Sequence, residues 1–256
     1  METNNFIKFL GTAGARFVMI SQLRSSGGIW ISYKGTDILI DPGPGSIVRC
    51  ANSLPKLDPG KLASIILTHR HLDHASDVNV MVEAMTDGGF KRRGLLFLPR
   101  DALAKDSIVL KYVQNFLEKI EFLTPGKIYK VRDIKFGTTC LMKHSVETYG
   151  LVFNFNGQKV SLVADTQYFE KLPKFFKHTD ILIINVVFLK AHSGIQHLDL
   201  ESAGKLISEV RPKKAILTHF GLTMLKANPI KLARELTKSL GIEVIAADDG
   251  MVIGLG

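Results

Sequence analysis

Apolar residues along this chain fall into short runs whose spacing switches between two residues and about 3.6, the periods of half-buried strands and amphipathic helices. Residues 6–10 read as a strand running into the glycine-rich Gly11-Thr12-Ala13-Gly14, and a second glycine pair stands at Gly27-Gly28. Residues 29–33 and 38–40 flank Lys34-Gly35-Thr36-Asp37 as a hairpin that ends in the turn Asp41-Pro42-Gly43. A compact apolar strand at 64–68 leads straight into His69-Arg70-His71-Leu72-Asp73-His74, so a polar cluster starts at a strand end. Val78, Met81, Val82 and Met85 then recur at helical spacing, closed by Gly88-Gly89. A strand at 95–98 and a helix at 108–120 follow. Beyond Pro125 the period returns to two, predicting strands at 128–131, 134–142, 151–155 and 159–164, the last pair joined by the hairpin dipeptide Asn156-Gly157. The final third alternates strand 181–187, helix 200–210 with Asp199 as N-cap, strand 215–218, helix 229–240 and a strand near Val244.

Ile66-Leu67-Thr68-His69 recurs as Ile216-Leu217-Thr218-His219, and Ile40-Asp41 has a weaker counterpart in Ala164-Asp165. These echoes predict two related halves. Strand groups interleaved with helices predict an α/β protein in which two packed sheets are covered by helices, with polar residues on loops at one edge. At 256 residues and 46% apolar content, the chain is expected to form a single domain over residues 1–256.

Composition narrows the setting. The longest apolar stretches, such as 181–187 with Asn185 inside it, fall well short of the ~20 residues a bilayer span needs, so no membrane contact is expected. Met1-Glu2-Thr3-Asn4-Asn5 lacks the basic flank and apolar run of a secretory signal, and a cytoplasmic protein is expected. Cys50 and Cys140 have no CxxC spacing and read as small buried hydrophobes. A net charge of +9 would attract phosphate-bearing substrates, and Lys91-Arg92-Arg93 forms one local basic cluster, but the basic residues are otherwise scattered as on a solvated surface. Neither GxGxxG nor GxxxxGK[ST] occurs, which removes the usual dinucleotide and triphosphate cradles.

His69, His71, Asp73 and His74 place three imidazoles and a carboxylate within six residues. Neutral imidazole nitrogen and carboxylate oxygen suit Zn²⁺ and its neighbours Mn²⁺ and Fe²⁺. Packing alone does not account for so many polar groups in one place. Thr68-His69-Arg70-His71-Leu72-Asp73-His74 resembles the HxHxDH signature of the metallo-β-lactamase superfamily. His144 ahead of Gly150, the segment Ala164-Asp165-Thr166 and the segment Leu217-Thr218-His219 resemble that family's later motifs in order. The resemblance implies an αββα sandwich of two mixed β-sheets packed face to face with helices on both outer faces. It implies two divalent metal ions, zinc foremost with manganese or iron as alternatives. One would be held by His69, His71, His144 and Asp165, the other by Asp73, His74, Asp165 and His219. It further implies hydrolysis by a metal-bridging hydroxide, with Asp73 also orienting the nucleophile. Asp41-Pro42-Gly43 resembles the turn that supports the histidine loop.

His197, in Gln196-His197-Leu198-Asp199, precedes the helix that leads towards His219. That placement resembles the phosphodiesterase branch, which includes ribonuclease Z and the cyclic ribose-phosphate phosphodiesterase, and it implies that His197 gives a proton to the leaving oxygen. His192 reads as a solvated loop histidine, and His178 has no supporting context. The long Gly- and Pro-rich arm with which ribonuclease Z holds tRNA has no counterpart here, nor does a cysteine-containing structural zinc site. The 37 residues after His219 are too few for the helical substrate domain of glyoxalase II-like thioesterases. His71 stands where flavodiiron proteins carry Glu. The expectation is a phosphodiesterase acting on a small cyclic or nucleotide phosphate. An RNA-processing nuclease of ribonuclease Z type and a non-catalytic metal-binding module are the alternatives, and a homodimer is left open.

Overall fold

Strand β1 (Phe6–Phe9) starts the first sheet, followed in the chain by β2 (Ile29–Tyr33), β3 (Thr36–Ile40), β4 (Leu62–Ile66), β5 (Leu95–Leu98) and β6 (Lys119–Phe122). Then come β7 (Ile128–Val131), β8 (Ile134–Leu141), β9 (Tyr149–Phe155), β10 (Gln158–Val163), β11 (Ile181–Asn185), β12 (Lys214–Thr218), β13 (Glu243–Ala246) and β14 (Val252–Gly254). This computed structural model describes residues 5–256. Most of the amino-terminal stretch read for a secretory signal, residues 1–4, lies outside the described residues.

Two seven-stranded sheets result, with orders β14-β1-β2-β3-β4-β5-β6 and β13-β12-β11-β10-β9-β8-β7. Each has the same plan. Antiparallel pairing links β14, β1, β2 and β3 in one sheet and β7, β8, β9 and β10 in the other. Parallel pairing then adds β4, β5 and β6, or β11, β12 and β13. The two related halves expected from sequence are therefore present in topology. The Ile-Leu-Thr-His echo, however, joins β4, next to β3, with β12, two places from β10, so these tetrapeptides do not occupy corresponding strands. Asp41 and Asp165, which follow β3 and β10, do correspond.

Burial explains the layering. Ile7, Ile31, Phe97, Phe136, Phe153 and Ile183 belong to a core filled from both sheets. The outer face of the first sheet is covered by the helices Ser46–Ala51 and Val78–Met85, the latter burying Val78, Met81, Val82 and Met85. The outer face of the second is covered by Leu200–Val210 and Pro229–Leu240. Central strands β4 and β11 are buried along their whole length, as sheets covered on both faces require. Asp199 caps Leu200–Val210 by accepting from the Ser202 amide at 2.8 Å. No helix among the described residues is long and apolar enough to cross a membrane.

Three local readings need correction. The first hairpin turns on Lys34-Gly35 alone, with φ of 49° and 74°, and pairs Tyr33 with Thr36, because this left-handed two-residue turn matches strand twist. The stretch 108–120 is not one helix. It makes a single turn at Lys111–Gln114 and then enters β6, where backbone pairing of Leu95 to Leu98 with Lys119 to Phe122 outweighs helical periodicity. Cys50 is buried as expected, but Cys140 is only half-buried on β8.

Candidate metal centre

The cluster sits where the carboxy-terminal ends of strands from both sheets meet, the usual position for ligands in open α/β sheets. On the first sheet, Asp41 organises the histidine loop. One carboxylate oxygen accepts from the Thr68 amide at 2.6 Å, while the other accepts from the Thr68 hydroxyl at 2.6 Å and from His74 Nδ1 at 3.0 Å. With its proton given to Asp41, the Thr68 oxygen accepts from His69 Nδ1 at 3.0 Å. Both imidazoles thereby turn Nε2 towards the cluster, the usual way an outer hydrogen bond orients a metal-binding histidine. Arg70 clamps the loop from outside by donating to the carbonyls of Asp101 and Asp106 at 3.0 and 2.9 Å. Gly43 lets the Asp41 turn lie against this segment, since a Cβ there would fall 2.1 Å from the Asp73 carbonyl oxygen.

The second sheet supplies its groups separately. His144 lies in the loop after β8 and donates through Nδ1 to the Gln196 carbonyl at 3.0 Å, leaving Nε2 facing His71 Nδ1 at 3.1 Å. Asp165 follows β10, and Asn185 at the end of β11 donates to its Oδ1 at 2.8 Å. Its Oδ2 is the hub, lying 3.8 Å from His69 Nε2, 3.5 Å from His74 Nε2, 3.4 Å from His219 Nε2 and 3.5 Å from His197 Nδ1. His219 follows β12 in a left-handed conformation, φ 60°, which a non-glycine residue adopts at some cost. The glycine-rich segment 11–14 packs against it: Gly14 donates to the Phe220 carbonyl at 2.9 Å, and a Cβ on Gly14 would lie 2.0 Å from the His219 carbonyl oxygen. Gly14 thus lets the glycine-rich segment lie directly against His219.

All eight residues singled out from sequence converge here. His69, His71 and His144 form one group of donor atoms within 4.8 Å of one another, and Asp73, His74 and His219 form another, with Asp165 between them. Asp41, His69 and His74 also meet this spacing, but hydrogen bonds already occupy both Asp41 oxygens, which makes it a support. The donor set fits a divalent metal. His69 Nε2 is buried with no hydrogen-bond partner among the described residues, a cost that coordination removes.

Burial keeps His69 uncharged, its pKa held well below the usual range and further depressed by His74. Burial and the nearby His144 also lower His71. Both are thus ready as neutral ligands. Burial works against the charge of His74, but the carboxylates of Asp73, Asp165 and Asp41 outweigh it and hold its pKa well above the ordinary value. Asp165 also resists its own burial, since His219, His197 and His74 keep it ionised and well below the usual carboxylate range. Burial takes His197 down to about 4 despite the attraction of Asp165.

His178 is exposed and makes no contact with the cluster. His192 is exposed as expected, yet its ring packs on Phe188 with centroids 4.8 Å apart and lines the approach to the site. Asn185 belongs to no motif, and its one signal in the sequence is a lone amide in an otherwise apolar strand. Above the cluster opens a cavity of about 970 Å³ that reaches His71, Asp73, Asp165 and His197. The Lys91-Arg92-Arg93 cluster does not line it: Arg92 and Arg93 bond the carbonyls of Leu117 and Leu62, and Lys91 pairs with Asp87 at 3.0 Å.

Comparison with known proteins agrees with this architecture. The family described as the Beta-lactamase superfamily domain matches residues 36–220. An uncharacterized protein of Methanocaldococcus jannaschii is 33% identical over 97% of this chain and 94% of its own length. The ribonuclease Z of Thermococcus kodakarensis is 23% identical over 96% of this chain and 93% of its own. Among solved structures, the metallo-beta-lactamase fold protein YhfI of Bacillus subtilis superposes with a TM-score of 0.81 over 98% of this chain and 100% of that one, at 20% identity.

Proposed function

The chain belongs to the beta-lactamase superfamily, and from that premise we propose that it is a dinuclear metal-dependent phosphodiesterase acting on a small cyclic or nucleotide phosphate. The observation that carries this reading is the position of Asp165 between two groups of three donors, which is the arrangement a shared carboxylate ligand needs. His69, His71, His144 and Asp165 would hold one ion, and Asp73, His74, Asp165 and His219 the other, zinc being the best match to this donor set. Ions so held supply Lewis acidity that makes hydroxide available near neutral pH and stabilises charge on phosphoryl oxygens.

The residues around the ligands divide the remaining work. Asp41, Thr68, Asn185 and the Gln196 carbonyl fix the ligand orientations before substrate arrives. His197 faces Asp165 from the cavity side, and although His144, Asp165 and His197 also bring donor atoms within 4.8 Å of one another, in this reading it lies outside both shells. Its low pKa leaves the resting ring neutral. A bound phosphodiester brings negative charge that opposes the burial effect and favours the protonated ring, which then gives its proton to the departing alkoxide.

The ribonuclease Z likeness favours RNA processing as the second reading. Protein reconstituted with zinc or manganese should bind close to two ions per chain and cleave bis(p-nitrophenyl) phosphate in a chelator-sensitive way. Saturation at one ion, or turnover of a thioester or lactone with every phosphodiester ignored, would overturn the assignment. Efficient trimming of tRNA 3′ extensions would move the second reading ahead of the first.

A further inference from the structure

Ligand pockets are typically about 300–1,000 Å³, and the cavity above the cluster, at about 970 Å³, is at the large end of that range. Its walls include Phe17 and Ile20 from the helix Ala15–Ser21, together with Leu72, Phe188, Ile195 and Leu222. Phe17, Ile20 and Leu72 are 68%, 69% and 64% exposed, and Ile195 and Leu222 are exposed as well. Large apolar side chains left open to water around one cleft mark a binding surface, because water contact is unfavourable for them.

Charge separates the candidate ligands. The chain has 33 lysines and arginines, but among the described residues Arg16 is the one that lines this cavity. A nucleic acid draws its affinity from several cations along its phosphates, and this cleft does not provide them. A nucleobase would need polar partners for its edge. Thr223, the hydroxyl residue of the lining, accepts from the Leu189 amide at 3.1 Å and keeps one O–H to donate, so beside Arg16 and His192 the wall from Phe17 to Leu222 offers a base edge few side-chain partners. An alkyl arm makes no such demand, and a chain extending past Phe17 and Ile20 covers the exposed rim.

We propose that this cleft binds one ester arm of the substrate and that the arm is a long alkyl or acyl chain, so that the enzyme acts on amphiphilic phosphodiesters whose phosphoryl group sits at the His/Asp cluster. The inference rests on the phosphodiesterase part of the reading above and departs from its substrate, putting an amphiphilic diester in place of the small cyclic or nucleotide phosphate.

Calorimetric titration of the metal-loaded protein with methyl-, butyl- and octylphosphonate tests it without turnover. Burying each added methylene strengthens binding about threefold to fourfold, so the Kd should fall on the order of 10²-fold from butyl to octyl. Phe17→Ser with Ile20→Ser, on one wall, and Leu222→Asn, on another, should each flatten that dependence. Affinity independent of chain length, or tighter binding of adenosine 5′-methylphosphonate than of octylphosphonate, would overturn the proposal. So would sedimentation showing a dimer that the Phe17/Ile20 double variant dissociates, because a second copy would then cover the rim. Cleavage of bis(p-nitrophenyl) phosphate with no dependence on chain length would remove the apolar arm and leave the phosphodiesterase standing. Length-dependent phosphonate binding with no diester turned over would do the reverse.

Discussion

The first sheet delivers His69, His71, Asp73 and His74 from one stretch at the end of β4, whereas the second delivers His144, Asp165, His197 and His219 from four segments spread over residues 144–219. On the first side one carboxylate, Asp41, sets Thr68, His74 and, through Thr68, His69. On the second, each group has its own support: Gln196 for His144, Asn185 for Asp165, and the packing of residues 11–14 for His219. The concentrated side should therefore fail as a unit when its anchor is lost. The distributed side should lose one group at a time.

The largest effect is expected on the distributed side, where His197 has no counterpart across the site. His197→Ala should retain nearly full metal content but lose ~10²–10⁴ in rate on a diester with a poor alkoxide leaving group. With nitrophenolate, which needs little protonation, the loss should be much smaller. Equal losses on both substrates would make His197 a phosphoryl-binding group, and loss of metal would make it a ligand.

Asp41→Ala should come next. It leaves the Thr68 amide and His74 Nδ1 buried without a partner, at about 1–3 kcal/mol in urea unfolding, and should weaken metal binding about 10–100-fold. Asn185→Ala removes one hydrogen bond to one ligand, so about 1 kcal/mol is expected, with a loss of metal affinity near the lower end of that same range. Should Asn185→Ala prove as damaging as Asp41→Ala, the contrast between the two sides would fail.

The smallest effect compares the two thiols. Burial pushes Cys50, beneath the first sheet, up to about 12, with the charge of Asp77 adding to it, while Cys140 on the second sheet is raised by burial but half-exposed. At pH 8 a disulfide reagent should label Cys140 slowly and leave Cys50 untouched until urea unfolds the protein. Rapid labelling of Cys50 in the native state would show that the helical cover of the first sheet opens easily.

Elements and chemistry that depend on neighbours in the chain can be read directly from the residues. Alternation over Ile134 to Phe136, the Asn156-Gly157 turn, the Asp199 cap and the stripe Val78, Met81, Val82 and Met85 are short-range patterns, and each reappears in the structure. The histidine loop was legible for the same reason: its spacing alone concentrates donors. His144, Asp165 and His219 were legible only through motif resemblance, because no local pattern links residues so far apart.

Register and proximity arise only on folding, and here they belong to the structure. It turned residues 119–120, the end of an expected helix, into the start of an edge strand beside β5, and it paired Val252–Gly254 with β1, a strand no periodicity announced. It showed that the Ile-Leu-Thr-His repeat lies on non-equivalent strands, and that Gly14 is glycine because His219 leaves no room for a Cβ. It brought Asn185 to Asp165, and it set Phe17 and Ile20 beside a polar centre that begins in sequence only at His69. A chain encodes its local periods directly, but hydrogen bonds and apolar contacts between distant segments exist only after the sheets have taken their order, and those contacts shape the cleft.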